Sequence, residues 1–100
     1  MVKLVLEASE IPQQGAVVID FFATWCGPCK RIAPTFEKLA QSLSSIVFLK
    51  VDVDESPELV NSFDVSSMPT FVFLKDGKEV KRVEGADMVQ LESGFDLLTK

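Results

Sequence analysis

Cys26 and Cys29, the only cysteines of the chain, stand three residues apart in Trp25-Cys26-Gly27-Pro28-Cys29-Lys30, close enough for their sulfurs to join and part as a disulfide. A pair so spaced serves redox exchange, metal binding, a structural clip, or packing as two small hydrophobes. A structural zinc site wants about four Cys or His ligands. This chain has two cysteines and no histidine, so a zinc site would need a second chain. A clip across so few residues constrains the unfolded chain little. Context must decide in favour of redox, and the elements around the motif supply it.

Ala16 to Ala23 is a nearly continuous run of apolar and β-favouring residues, the pattern of a central strand buried on both faces. From Cys29 onward Ile32, Phe36, Leu39, Ala40 and Leu43 recur at intervals of three and four, an amphipathic helix with Pro34 inside it as an expected kink. The cysteines therefore lie where a buried strand hands over to a helix. Unpaired backbone N–H groups and the helix dipole favour an anion there, and a thiolate is the anion available. That placement should lower the pKa of Cys26 and make it the nucleophile. Cys29, one turn into the helix, should be less exposed and act as the resolving thiol.

Two charges stand out in otherwise apolar strands. Asp20 interrupts Ala16 to Ala23 six residues before Cys26, and Lys50 interrupts the next strand, Ile46 to Val53. A desolvated Asp20 with a raised pKa suits a group that exchanges a proton with the thiols. It equally suits a structural ion pair with Lys50, brought near by adjacent parallel strands, and both descriptions fit one pair.

The remaining elements fill out a single α/β domain. Val2 to Leu6 is a short strand, and Ser9 is expected to cap a one- or two-turn helix before Gly15. Ser56-Pro57 opens a short helix with Leu59, Val60 and Phe63 inward. Thr70 to Leu74 and Glu79 to Val83 flank an Asp76-Gly77 turn and should form an antiparallel hairpin. Asp87 with Gln90 resembles a capping box for a closing helix, in which Gly94 should cost about 1 kcal/mol relative to Ala. The order predicts a central mixed five-stranded sheet flanked by four helices, one domain over residues 1–100.

A net charge of −5 argues against a nucleic-acid partner. Glu7 ends the apolar run Leu4-Val5-Leu6, so, taken as a complete chain, the protein is expected in the cytoplasm with no secretory or membrane-spanning segment.

The run Phe21-Phe22-Ala23-Thr24-Trp25-Cys26-Gly27-Pro28-Cys29-Lys30, with Asp20 before it and Ser67-Met68-Pro69-Thr70-Phe71 after it, resembles the thioredoxin family over essentially the whole chain. The resemblance implies a thioredoxin fold and a cis Pro69 against the cysteines, although only about one in twenty X-Pro bonds is cis. It implies that the Met68 backbone pairs with an extended substrate segment, and that Asp20 and Lys50 act as a buried proton-transfer pair. Trp25, Gly27, Pro28, Met68 and Gly85 would form a flat apolar rim for partner proteins.

The activity so implied is reduction of disulfides in client proteins, with no bound cofactor. A thioredoxin reductase drawing on NADPH would recycle the Cys26–Cys29 disulfide. A rival reading is a docking module whose thiols are incidental. Ser67 stands where some relatives carry a further cysteine, so disulfide-linked dimers are not expected and a monomer is. Phe22 occupies a place often held by Trp, the first helix is short, and Gly94 is expected to interrupt the last one.

Overall fold

Successive side chains of a strand point to opposite faces, so a strand covered on both sides must be apolar at odd and even positions alike. Residues Ala16–Phe22 meet that condition except at Asp20. In the computed structural model, which describes residues 1–100, they form the middle strand of a five-stranded sheet. In chain order the elements are β1 (Val2–Leu4), β2 (Ala16–Phe22), α1 (Gly27–Ser42), β3 (Ile46–Asp52), α2 (Pro57–Ser62), β4 (Thr70–Lys75), β5 (Lys78–Glu84) and α3 (Met88–Thr99). The lateral order is β1-β3-β2-β4-β5. Strand β3 runs parallel to β1 and β2, whereas β4 is antiparallel to β2 and β5. The sheet is mixed, as expected, with α1 as the crossover between parallel neighbours.

The two faces of β2 feed two cores. Val17, Ile19 and Phe21 pack with Leu49, Val51 and Val72 beneath Leu59 of α2. Val18 packs with Phe48, Phe71 and Phe73 beneath Ile32 and Phe36 of α1 and Leu91 and Phe95 of α3. Each large apolar side chain so buried contributes roughly 1.5–3 kcal/mol. A one-residue slip of β2 would exchange its faces, so the same burial that stabilises the sheet holds Asp20 on the α1 side.

Three α-helices are present where four were expected. The segment after β1 forms only a 3₁₀ turn, Ala8–Glu10, and Ser9 lies inside it rather than capping it. Glu10 Oε1 instead accepts the N–H groups of Leu6 and Glu7, at 2.8 and 2.9 Å, and these bonds hold its carboxyl below the ordinary carboxylate range. Growth beyond one turn stops at Ile11, which is extended (φ −90°, ψ 120°) because it precedes Pro12. Helix α1 runs through Pro34 over 16 residues, with the proline on its exposed side.

Helix α3 likewise runs through Gly94 without interruption, and the structure gives the glycine a use. A Cβ there would sit 2.5–2.7 Å from three atoms of the Phe73 ring, a fully buried side chain that also meets Phe95 edge-on. Gly94→Ala should therefore destabilise despite its better helix propensity. Overpacking costs about 1–3 kcal/mol and propensity returns at most about 1. A net loss of about 1–2 kcal/mol should lower Tm by roughly 4–8 °C per kcal/mol in calorimetry. An unchanged or higher Tm would mean that the ring yields at no cost.

Candidate active site

Four residues, 23–26, carry the chain from the end of β2 to the start of α1. Cys26 is the N-cap of that helix, and its Sγ accepts the N–H of Cys29 at 3.2 Å, satisfying one of the donors that a helix start leaves unpaired. Pro28 falls in the first turn, where its missing N–H removes no helical bond. The two cysteines are joined as a disulfide, with Cα atoms 5.3 Å apart. Cys26 is 6% and Cys29 3% exposed, so the expected contrast between an open and a covered thiol is present only in direction. Their surroundings separate them more clearly. Cys26 Sγ lies 3.7 Å from the Met68 carbonyl oxygen, whereas Cys29 lines a cavity that also contains Asp20.

The loop before β4 completes the rim. The Met68–Pro69 bond is cis, and Met68 packs against the cluster of Ala23, Cys26 and Cys29. The Pro69 carbonyl accepts the N–H of Gly85 at 2.8 Å, which brings the turn after β5 to the same place. Gly85 has φ +99°, a conformation that side chains disfavour. Thr70 Oγ1 donates to the Ser67 carbonyl at 2.6 Å and closes the loop from inside. Gly27 and Pro28 are exposed beside the disulfide, and Trp25 is 65% exposed.

One polar partner at this rim escaped the sequence reading. Trp25 Nε1 donates to Asp54 Oδ2 at 3.0 Å, and the Asp54 N–H in turn donates to Asp52 Oδ1 at 3.0 Å. The available signal was positional. Asp52 ends β3 beside the end of β2, so an acidic pair there belongs to the same edge of the sheet as the cysteines.

Beneath the disulfide, Asp20 and Lys50 are register partners on β2 and β3. They do not form an ion pair: the one ion pair in the chain joins Arg82 and Glu79. The Lys50 ammonium sits 5.9 Å from the centre of the Phe22 ring instead. Asp20 is 4% exposed, and its Oδ1 has no hydrogen-bond partner. Burial pushes its carboxyl up to about 7, with the Lys50 charge pulling the other way. The cavity between them and Cys29 measures about 250 Å³, with Phe22, Lys30 and Ala33 among its walls.

A cystine at a strand-to-helix junction, backed by a carboxyl that titrates near neutrality, defines a thiol-disulfide oxidoreductase whose redox group is its own pair of sulfurs. The family model for thioredoxin matches residues 6–96. Thioredoxin-2 of Saccharomyces cerevisiae is 59% identical over 79 residues, covering 79% of this chain and 76% of that one. Thioredoxin-1 of Schizosaccharomyces pombe is 44% identical over 99 residues, covering 95% and 96%. The crystal structure of oxidised mitochondrial thioredoxin 3 from Saccharomyces cerevisiae superposes with a TM-score of 0.90 at 42% identity, over 97% of this chain and 95% of that one. The chain belongs to the thioredoxin family and acts as a protein-disulfide oxidoreductase by dithiol–disulfide exchange.

Proposed function

We propose that Cys26 is the nucleophile of this exchange, Cys29 the resolving thiol, and Asp20 the group that takes and returns the resolving thiol's proton. In the reduced protein the Cys29 N–H and the start of α1 stabilise a thiolate on Cys26. That thiolate attacks one sulfur of a client disulfide, forming a mixed disulfide and expelling the other client sulfur as a thiolate. Cys29 then gives its proton to the Asp20 carboxylate and attacks Cys26 Sγ. The mixed disulfide breaks, the second client thiolate leaves, and the Cys26–Cys29 bond forms. Two electrons pass to the client, which takes up two protons.

The observation that carries this division of roles is the one-sided environment of the two sulfurs. Only Cys29 shares the cavity with Asp20, and Cys26 is the one beside the open rim. On that rim the Met68 carbonyl supports docking of a client segment in extended form, with Pro69, Gly85, Gly27, Pro28 and Trp25 as its apolar surround. Lys50 contributes a charge near Asp20 rather than a direct ion-pair partner.

The family implies a thioredoxin reductase, drawing on NADPH, as the electron source and disulfide-containing proteins as clients. The net charge of −5 supports protein rather than nucleic-acid partners, and a monomer is the working form in this reading. No helix is long and apolar enough to cross a membrane. A reducing compartment such as the cytosol fits dithiol chemistry, although a matched relative is mitochondrial, and fractionation decides between them.

The roles are tested by trapping. Cys29→Ser should accumulate a mixed disulfide between Cys26 and client proteins, seen as a ladder in non-reducing gels that collapses with dithiothreitol. A Cys29→Ser variant that traps nothing would remove the assignment of Cys29 as resolver. In parallel, Asp20→Asn should flatten the pH profile of the resolving step around pH 7. An unchanged profile would take Asp20 out of the proton transfer.

A further inference from the structure

Asp20 and Phe22 lie two positions apart on β2 and share its α1 face, and Lys50 stands opposite Asp20 on β3. The lysine stem is long and its ammonium carries three free donors, so the nearest carboxyl oxygen without a partner should attract it. That oxygen is Asp20 Oδ1, and Lys50 lines the same cavity. The ammonium is nevertheless found 5.9 Å from the Phe22 centroid, within the about 6 Å reach of a cation over a ring face, and makes no ion pair with Asp20.

We propose that Phe22 is a positioning residue for proton transfer: its ring holds the Lys50 ammonium and so keeps a positive charge from closing onto Asp20. The proposal rests on the reading of Asp20 as the proton acceptor for Cys29. An ammonium bonded to the carboxylate would stabilise the charged form and make Asp20 a weaker base. Held over the ring, the same ammonium leaves Asp20 able to accept a proton near neutral pH. The other groups facing the carboxyl do not duplicate this control. Helix α1 contributes Cys29 and Lys30 to the cavity, with Lys30 itself exposed. From β4 the register partner of Asp20 is Phe71, which carries no charge.

The test is a carbon-13 NMR titration of the Asp20 side-chain carboxyl in the reduced protein. Phe22→Leu should lower its midpoint by about half to one pH unit, a roughly three- to tenfold change in proton affinity. Phe22→Trp, which keeps a ring face, should leave the midpoint at or above that of the parent. In a Lys50→Met background, Phe22→Leu should shift the midpoint by no more than about 0.2 pH units, because the charge that the ring positions is gone. Phe22→Met, similar in size and without a ring, replaces leucine should that variant fail to fold.

No shift with leucine, an upward shift, or an equal shift with and without Lys50 would overturn the proposal, the last because loosened packing alone would then account for it. The midpoint is read at the carboxyl and not from client reduction. Failure of the proton-transfer reading, seen in Asp20→Asn kinetics, is thereby distinguished from failure of the positioning by Phe22.

Discussion

Cys26→Ser is expected to abolish disulfide reduction, with a loss of roughly 10³-fold or more in insulin reduction with dithiothreitol as electron source, of the order seen when a covalent nucleophile is removed. The serine hydroxyl stays protonated at neutral pH and cannot join a sulfur in a disulfide, so both the attack and the mixed intermediate are lost. The fold should survive the change. Cys26 is the N-cap of α1, accepting the Cys29 N–H, and serine is among the better residues for that place. The disulfide closes so short a loop that its removal alone costs the fold little. Loss of activity at nearly constant Tm would therefore be chemical and not structural. A reduction rate near that of the parent would identify the rim, and not the sulfur, as the source of activity, as the docking-module reading requires.

The second large effect concerns stability and runs through Asp20. Its carboxyl is pushed from an ordinary 3.8 up to about 7 in the folded chain, chiefly by burial. A carboxyl whose pKa is raised by folding binds its proton more tightly in the native state than in the unfolded one. The neutral native form is therefore fully favoured below the unfolded pKa, and stability declines as pH rises from about 4 to about 7, reaching its floor above 7. Three pH units at about 1.4 kcal/mol each make this loss as large as about 4 kcal/mol. Asp20→Asn removes the titration, so denaturant unfolding at pH 8 should show a variant more stable than the parent by about 2–4 kcal/mol, with the two converging near pH 4. A parent protein whose stability is level across that range would mean that Asp20 is charged at no cost, and the argument for its role as a tuned base would go with it. A buried group that weakens the fold and yet shares a cavity with a redox cysteine is the kind of local cost that active sites impose.

Much of the site was legible before any coordinate. The spacing of Cys26 and Cys29, the apolar run ahead of them and the helical periodicity behind them place two thiols at a helix start, because burial and helix geometry act on neighbours in sequence. Asp20 and Lys50 were visible as charges out of place, since a strand buried on both faces has no solvent side for them. The outcome for Lys50 was not visible. Whether its ammonium turns to a carboxyl or to a ring depends on which side chains share one cavity, and β2 and β3 are brought together only by the crossover of α1. Gly94 misled in the same way. Propensity marks it as a weak point of a helix, and the ring of Phe73, 21 positions earlier on β4, is what makes a Cβ unacceptable there.

The N-terminal helix is cut short for a local reason: a proline at position 12 makes Ile11 extended and leaves room for one 3₁₀ turn. For Trp25 and Asp54 the sequence offered only their common edge of the sheet, because the hydrogen bond between two loops depends on where the ends of β2 and β3 lie relative to each other.

By itself the sequence determined the reacting atoms, the elements that carry them and the sheet that orders those elements, since alternation and helical periodicity are written residue by residue. The rim of Met68, Pro69 and Gly85 around Cys26 was implied by the family resemblance, whereas tertiary structure alone decided the cavity joining Cys29 to Asp20 and the turn of Lys50 toward Phe22. Each of these is a meeting of side chains far apart in the chain, and the free energy of such a meeting depends on distance and burial, quantities that exist only once the chain has closed on itself.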